Sequence, residues 1–561
     1  MINLTEAAVE EIRTFAAIEL EEKLEPIKYN CGAGHPPDIL TMLSPHLALK
    51  WSLLATYAAL NVVAIKRPEL RMERLDELLW ESNFVSSAVG TCVARDNSTV
   101  AAQWVRLAYH DMSTHNVDDG SGGLDASIVF ELDRPQNVGK GMTDSINDFR
   151  SSTEPTVTLS DLIAMGAIMG TVSCGGPMIP FRGGRVDATS AGPATVPEPQ
   201  QDLASHTESF RQQGFTQSEM ISLVACGHSL GGVRREDFPD IVQTPVDGNV
   251  ALFDGTKLFD NAVVTGYLQG TTPNPLAVGP NATTNSDLRI FSSDGNATMQ
   301  SIASPDTFNK VCADLFERMI NTVPKGVQLT EVVEPIEYKV GQAWLFPGDE
   351  GAFRFVTSLR MLHKNPLRTV KLFWSDRQGS ACPSPGCSAS PSDTFGDSGT
   401  PMTNKAGLSL SFYEFDTKIN MTSSISKFWF EVDEGDGSAV ARVDDDGAGF
   451  PIVQDAVLLD RGRISTESDK SGTFLIIVIA ARNADASSRI TITTYQPGVS
   501  VSKPIPTRQT LNLSVDPRFP PMAGYTFFSA KVPFRQEWFD LKAEIGGEVF
   551  EQQNILASRK I

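Results

Sequence analysis

The chain has 561 residues, too many for one hydrophobic core, so two or three domains are expected. Its 47 Lys and Arg against 68 Asp and Glu leave a net charge of −21, which argues against nucleic acid and anionic membranes as partners. Seven cysteines are too few for a disulfide-dense scaffold and too many to dismiss.

Residues 1–41 have neither a positively charged start nor an apolar run. From Met42 the chain reads MLSPHLALKWSLLATYAALNVVA, with Lys50, an apolar stretch and small residues ending at Ala64, the pattern of a secretory signal peptide. Translation is therefore expected to start at Met42. Residues 1–41 would then be a non-native extension and 42–64 a leader lost on export, leaving a secreted mature form without a membrane span. A buried helix or a single span is the alternative for 42–65. Export would leave Cys92, Cys174, Cys226, Cys312, Cys382 and Cys387, an even number. Sequons at Asn97, Asn281, Asn296, Asn420 and Asn512 agree with it. Cys382-Pro-Ser-Pro-Gly-Cys387 suits a small loop disulfide and is too long for a CxxC redox motif.

Residues 66–325 read as helices joined by loops. ARDNSTVAAQWVRLAYH from Ala94, SDLIAMGAIMGTV from Ser160, QQDLASHTESFRQQ from Gln200 and QSEMISLVACGHSLG from Gln217 place apolar residues near helical period. Thr158 to Asp161 and Phe215 to Glu219 look like capped starts. This part ends near DLFERMINTVPKG. From about residue 330 to 561 the texture becomes strand-like: KFWFEV, TFLIIVIAAR, SRITITTYQ and AGYTFFSAKV are rich in β-branched and aromatic residues and separated by Gly, Asp and Ser. A β-sandwich-like domain is expected there. The run EVDEGDGSAVARVDDDGAG lacks the ligand spacing of an EF-hand and reads as solvated turns.

The chemistry concentrates in WVRLAYHDMSTHNVDDGSGGLDASI, residues 104–128. Arg106 and His110, four apart, share one face of a helix. They set a proton acceptor beside a fixed positive charge, which suits heterolysis of a peroxide. Asp111 turns about 100° away, free to join Asp125 and Ser127 as oxygen ligands for Ca²⁺. Of the seven histidines, His35 and His46 precede the expected cleavage site; His206, in a polar helix, reads as a surface residue. His228 ends an apolar helix in LVACGHSLGG, where a lone histidine is ordinarily a backbone-bonded core residue.

RLAYHD, GGLDASI, GPMIPFRGGRVDA and ACGHSLGG, in this order, resemble the plant, fungal and bacterial haem peroxidase superfamily over roughly residues 70–325. The first and third look like the intracellular cytochrome c and ascorbate peroxidases, whereas GGLDASI and the cysteines look like the secreted fungal enzymes. A secreted hybrid-type fungal peroxidase is therefore the nearest description: a mainly α-helical domain followed by an all-β one. The resemblance implies haem b, with His228 as axial ligand to the iron. His110 would be the distal base, neutral near its ordinary pKa, and Arg106 the stabiliser of negative charge. Asn137 would accept the ring N–H of His110, and Asp294, in RIFSSDG, that of His228. Phe253 sits near the proximal aromatic position, where no Trp occurs. Tyr109 takes the distal aromatic position filled by Trp or Phe in relatives.

The same resemblance implies a distal Ca²⁺ held by Asp111, the Gly123 carbonyl, Asp125 and Ser127. A second, proximal Ca²⁺ would use Ser229, Asp254, Thr256 and Asp260, although its two aspartates are one residue closer together than expected. Cys92 with Cys174 resembles a disulfide of the secreted fungal enzymes, which leaves Cys226 and Cys312 to each other. Thr99 and Gln103 stand where manganese peroxidases carry acids, and Leu223 where lignin peroxidases carry a surface Trp. The function implied is reduction of H₂O₂ and oxidation of small phenol-like donors through ferryl intermediates. A haem-containing binding or adhesion protein with vestigial activity is the alternative, and a non-haem metal site on His110 and Asp111 a third, opposed by Arg106. For the β-rich region, a wall-polysaccharide ligand and a purely structural cap both remain open.

Overall fold

The structure, a computed structural model, describes residues 69–557 apart from 350, 381–385, 486, 499–504 and 535–536. The expected extension, the leader and Cys382 lie outside the described residues. The helical part is built on α1 (Leu70–Trp80), α2 (Val100–Met112), α3 (Leu159–Ser173), α4 (Leu203–Gln212), α5 (Gln217–Gly227), α6 (Ser286–Phe291) and α7 (Pro305–Asn321), among shorter elements. The caps fall where the sequence puts them: Thr158 accepts from the Asp161 N–H, and Thr216 and Glu219 form a reciprocal capping box at the start of α5. The expected helix from Ala94 starts only at Val100. Asp96 and Asn97 turn through left-handed φ values of 53° and 64°, and Thr99 then caps α2 by accepting from the Ala102 N–H.

α3 is buried nearly all round, as its unbroken apolar composition requires. A Cβ at Gly170 would sit 3.0 Å from the Cα of Ala101, so the glycine allows α2 to lie directly against α3. α2 also packs on α5, so the helix with His110 in its last turn lies against the one capped by His228. Two disulfides staple the helices, Cys92–Cys174 and Cys226–Cys312. Cys387 is disulfide-bonded as well.

Beyond residue 335 the chain forms antiparallel sheets. The expected single β-domain is two sandwiches. The first pairs a sheet centred on β1 (Ala352–Met361) with one containing β2 (Thr369–Ser375); β3 (Leu410–Asn420) joins the former and β4 (Lys427–Asp433) the latter. The second faces β5 (Gly472–Arg482) against β6 (Arg489–Gln496); β7 (Tyr525–Pro533) pairs with β5, and β8 (Trp538–Ile545), flanked by β9 (Glu548–Leu556), pairs with β6. The continuous apolar run of β5 now has its reason. Ile476, Val478 and Ala480 enter the core of the first sandwich, while Leu475, Ile477, Ile479 and Ala481 enter the second, so the strand is buried on both faces. In the acidic run, Asp433 and Asp436 accept from the N–H groups two residues on, an ordinary turn arrangement.

The β-rich region is built into the helical part. A one-turn helix, α8 (Pro401–Lys405), places Met402 in the helical core, and Thr400 Oγ1 donates to the Leu79 carbonyl at 2.6 Å. Arg360 of β1 meets Asp76 of α1 at 2.8 Å, and Lys339 bridges Asp76 and Glu81 at 3.0 and 2.9 Å. Asp76, Lys339 and Arg360 are almost wholly buried, where breaking a paired set costs about 3–5 kcal/mol.

Candidate active site

His110 lies in the last turn of α2. Its Nδ1 is 2.8 Å from Asn137 Oδ1, and Asn137 is held in turn by its own Nδ2, which donates to the Glu131 carbonyl at 2.9 Å. An amide oxygen can only accept, so Nδ1 carries the proton and Nε2 the lone pair. Burial, then the charge of Arg106, push the His110 pKa down to about 3 against the opposing Asn137 bond, well below the ordinary value expected from sequence. The imidazole is therefore neutral throughout the mildly acidic and neutral range. One turn earlier, Arg106 Nη2 donates to the carbonyls of Val138 and Gln136 at 3.0 and 3.4 Å, and its guanidinium lies over the ring of Phe238 at 5.8 Å. Burial lowers its pKa to about 10, while Asp237 opposes that shift; it stays charged. Tyr109 turns its hydroxyl toward Gln213 Oε1 at 3.4 Å and stacks on Phe210.

His228 caps the C-terminus of α5. Its Nδ1 is 2.7 Å from Oδ2 of Asp287, not Asp294. Asp287 is buried and also accepts from Asn274 Nδ2 at 2.7 Å. The sequence expectation for Asp294 is corrected: its Oδ2 accepts from Thr298 N–H and Oγ1 at 2.9 and 2.6 Å, one turn along the chain. A difference in context was available. Asp287 is followed by Leu288, Ile290 and Phe291, the signature of a packed helix, whereas Asp294 precedes Gly295 and Asn296, a turn. Asn274 carried no such signal. Phe253 stacks on His228, ring centroids 4.1 Å apart and planes within 14°. It is delivered by a tight ribbon in which Gly232–Arg234 pairs with Val250–Leu252. His206 is also corrected: it is buried, with Nε2 3.0 Å from the Glu198 carbonyl. Leu223 lies in the core, Thr99 is spent as a cap, and Gln103 accepts from Arg95 Nε at 2.6 Å.

With each Nδ1 committed, both histidines keep Nε2 free, and both rings remain partly open at the edge of a dense core. That donor set, with a carboxylate behind one imidazole and a neutral amide behind the other, fits an iron porphyrin: the first favours ligation, the second a mobile proton.

Behind His110, Asp111 is wholly buried, and its oxygens accept from the Ala126 and Ile128 N–H groups at 2.7 and 2.9 Å. Burial, with the charges of Asp125 and Glu131, pushes its pKa well up. Ser127 Oγ is buried without a partner. Gly123 takes φ 122°, and a Cβ there would lie 2.8 Å from the Thr322 carbonyl, which restricts the position to glycine. Closely spaced acids with an idle hydroxyl fit a divalent cation. At the second cradle, Asp254 Oδ1 accepts from Thr256 N–H and Oγ1 at 2.8 and 3.1 Å, while its buried Oδ2 has no partner. Burial, reinforced by Asp260, raises its pKa to about 6. Asp260 Oδ1 accepts from Ala262 N–H, and Ser229 Oγ donates to the Cys226 carbonyl at 2.8 Å. Among the described residues no group of three or more His, Cys, Asp or Glu is gathered to hold a metal, so each cradle depends on hydroxyl and backbone oxygens too.

Residues 83–303 match the family model described as peroxidase. The chain is 32% identical over 402 residues to a WSC domain-containing protein of Arthroderma benhamiae, covering 67% of this chain and 54% of the relative. It is 33% identical over 177 residues to L-ascorbate peroxidase 5, peroxisomal, of Arabidopsis thaliana, 31% of this chain and 59% of the relative. With the mitochondrial cytochrome c peroxidase of Yarrowia lipolytica it shares 28% over 148 residues, 25% and 43% of the two chains. The chain thus spans about half the length of these curated relatives.

Proposed function

We propose that this chain, which belongs to the peroxidase family through residues 83–303, is a haem-dependent enzyme that reduces hydrogen peroxide with electrons from small phenol-like donors. The balance is H₂O₂ + 2 AH → 2 H₂O + 2 A•, each donor giving one electron and one proton. The observation that carries the reading is the paired commitment of the two imidazoles, His110 to Asn137 and His228 to Asp287.

Bound through His228 Nε2, haem b would supply the iron that takes up peroxide and holds its two oxidising equivalents until donors return the electrons. Asp287 keeps the proton of His228 Nδ1 strongly bonded, which raises the electron density at Nε2. Phe253, stacked on that ring, fixes its rotation. His110 Nε2 would receive the proton from one peroxide oxygen and return it to the other as water leaves. Asn137 keeps Nε2 unprotonated between turnovers. General acid–base action of this kind contributes 10²- to 10⁴-fold. Arg106 presents its fixed charge where negative charge builds during O–O cleavage.

Ca²⁺ at Asp111, Gly123, Asp125 and Ser127 is part of the reading, and a second at Ser229, Asp254, Thr256 and Asp260. So is export, supported by the disulfides and tested by N-terminal sequencing of secreted chain, which should begin near residue 65. The β-rich region acts first as a structural partner, for which Arg360 and Met402 speak. A stacked pair, exposed Phe395 on half-buried Phe412 with centroids 5.0 Å apart, favours a second role on wall polysaccharide, tested by co-sedimentation with insoluble glucan. The enzymatic reading is tested by mixing haem-loaded chain with one equivalent of H₂O₂ in a stopped-flow instrument. Rapid loss of the ferric Soret band, and its return on adding a phenol, are expected; an unchanged spectrum would favour a haem-binding role.

A further inference from the structure

An open cavity of about 270 Å³ lies between Gln136, the loop 194–201 and α4. Its position matters. The Gln136 carbonyl accepts from Arg106 Nη2, and the next residue is the Asn137 that holds His110. A small molecule seated here thus touches the residue next to the one that holds His110.

The lining is polar, with Gln136, Gln201, Ser205, Glu198 and Glu208 among its side chains and no Lys, Arg or His. Gln136 Oε1 is a buried acceptor without a partner. Glu208 is already paired, with both oxygens at 2.8 Å from the Arg211 guanidinium, which it shares with Asp118. Glu198 is not. Its backbone N–H and carbonyl are engaged, with Gln201 Oε1 and His206 Nε2, but its carboxylate forms no hydrogen bond or ion pair among the described residues. The loop that carries it is fixed: Arg289, on α6 two residues after Asp287, donates to the carbonyls of Pro199 and Gln201.

We propose that this cavity is the donor site and that Glu198 makes it select phenols or aryl amines bearing a positive charge over those bearing a carboxylate. The inference rests on the peroxidase reading. The donor's ring hydroxyl or amine N–H meets the idle Gln136 oxygen, and its cationic group pairs with Glu198. The same charge turns away anionic donors, ascorbate included, although ascorbate peroxidases are among the chain's relatives. For unit charges about 5 Å apart in water the preference is about 4-fold for each sign, so about 15-fold between opposite charges.

The test compares tyramine with 4-hydroxyphenylpropionate, which share one phenol ring and differ in charge, using full-length haem-loaded chain. In low salt the kcat/KM ratio should favour tyramine by about 15-fold and shrink as ionic strength rises. Glu198→Gln should cut the ratio by roughly that factor and weaken tyramine binding to the resting protein, measured by calorimetry without peroxide. Ser205→Trp, which fills the cavity, should lower kcat/KM for tyramine. An unchanged ratio and affinity in Glu198→Gln, or unaltered donor kinetics in Ser205→Trp, would overturn the proposal. Should no donor be oxidised at all, the peroxidase reading fails, while the binding titration still decides the site.

Discussion

Replacing Asp287 with Asn removes the carboxylate behind His228 and nothing else of comparable size. The bond weakened is 2.7 Å long and charge-assisted, with its carboxylate end buried, a class contributing about 1.5–3 kcal/mol. At 1.36 kcal/mol per decade that is roughly 10- to 150-fold, which coincides with the 10- to 100-fold typical of residues that orient a metal ligand. His228 and Asn274 bond the same oxygen, Oδ2, so an amide oxygen placed there keeps both contacts without the charge, and the defect should sit at the lower end. Haem retention on a desalting column and the rate of reaction with H₂O₂ would both fall. Asp294→Asn supplies the comparison: its bonds reach only Thr298, so it should lose about 1 kcal/mol of stability and leave both readouts within two-fold. Equal defects in the two variants, or no defect in Asp287→Asn, would refute the assignment of the proximal carboxylate.

Because burial and Arg106 hold the His110 pKa near 3, the rate of reaction with H₂O₂ should stay level from pH 7 to about 4 and fall only as acid protonates the ring; an apparent pKa near 6.5 in stopped-flow data would contradict this. Arg360→Met leaves Asp76 with Lys339 and the Ile336 N–H and should cost about 3–5 kcal/mol, read as a lower urea midpoint. For the same reason a fragment ending at residue 325 should unfold more readily than the full chain, and equal protease resistance would count against the integrated fold. Chelation with EGTA should lower the melting temperature and added Ca²⁺ restore it, by about 2.7 kcal/mol at 100 times Kd. Indifference to both would remove the cation cradles.

Local signals proved legible where one residue decides the outcome. Thr158, Thr216 and Glu219 announce their caps, Arg106 and His110 their shared face, and the strand segments their pairing by β-branched content. What depends on distant partners was hidden. Asp287 and Asp294 lie seven apart, each preceded by Ser; the apolar residues after Asp287 mark a packed helix, but that this helix meets His228 is set by distant contacts. His206 looks like a surface residue because its helix is mostly polar, yet its ring is buried and meets the Glu198 carbonyl. The run FLIIVIAA shows that a strand is buried on both faces without showing that two separate cores receive it. The short α8 insertion and the Asp76–Arg360 pairing span 321 and 284 positions, and no periodicity encodes such contacts.

The central claim is that His228 holds a haem iron while His110 stays free to move a proton. Reconstituting wild type, His228→Ala and His110→Leu with haem b, then following the Soret band before and after one equivalent of H₂O₂, separates the two roles. His228→Ala should lose the wild-type ferric spectrum and recover it when imidazole is added, whereas His110→Leu should keep that spectrum and react at least about 100-fold more slowly. A normal spectrum in His228→Ala, or undiminished peroxide reactivity in His110→Leu, would contradict the account.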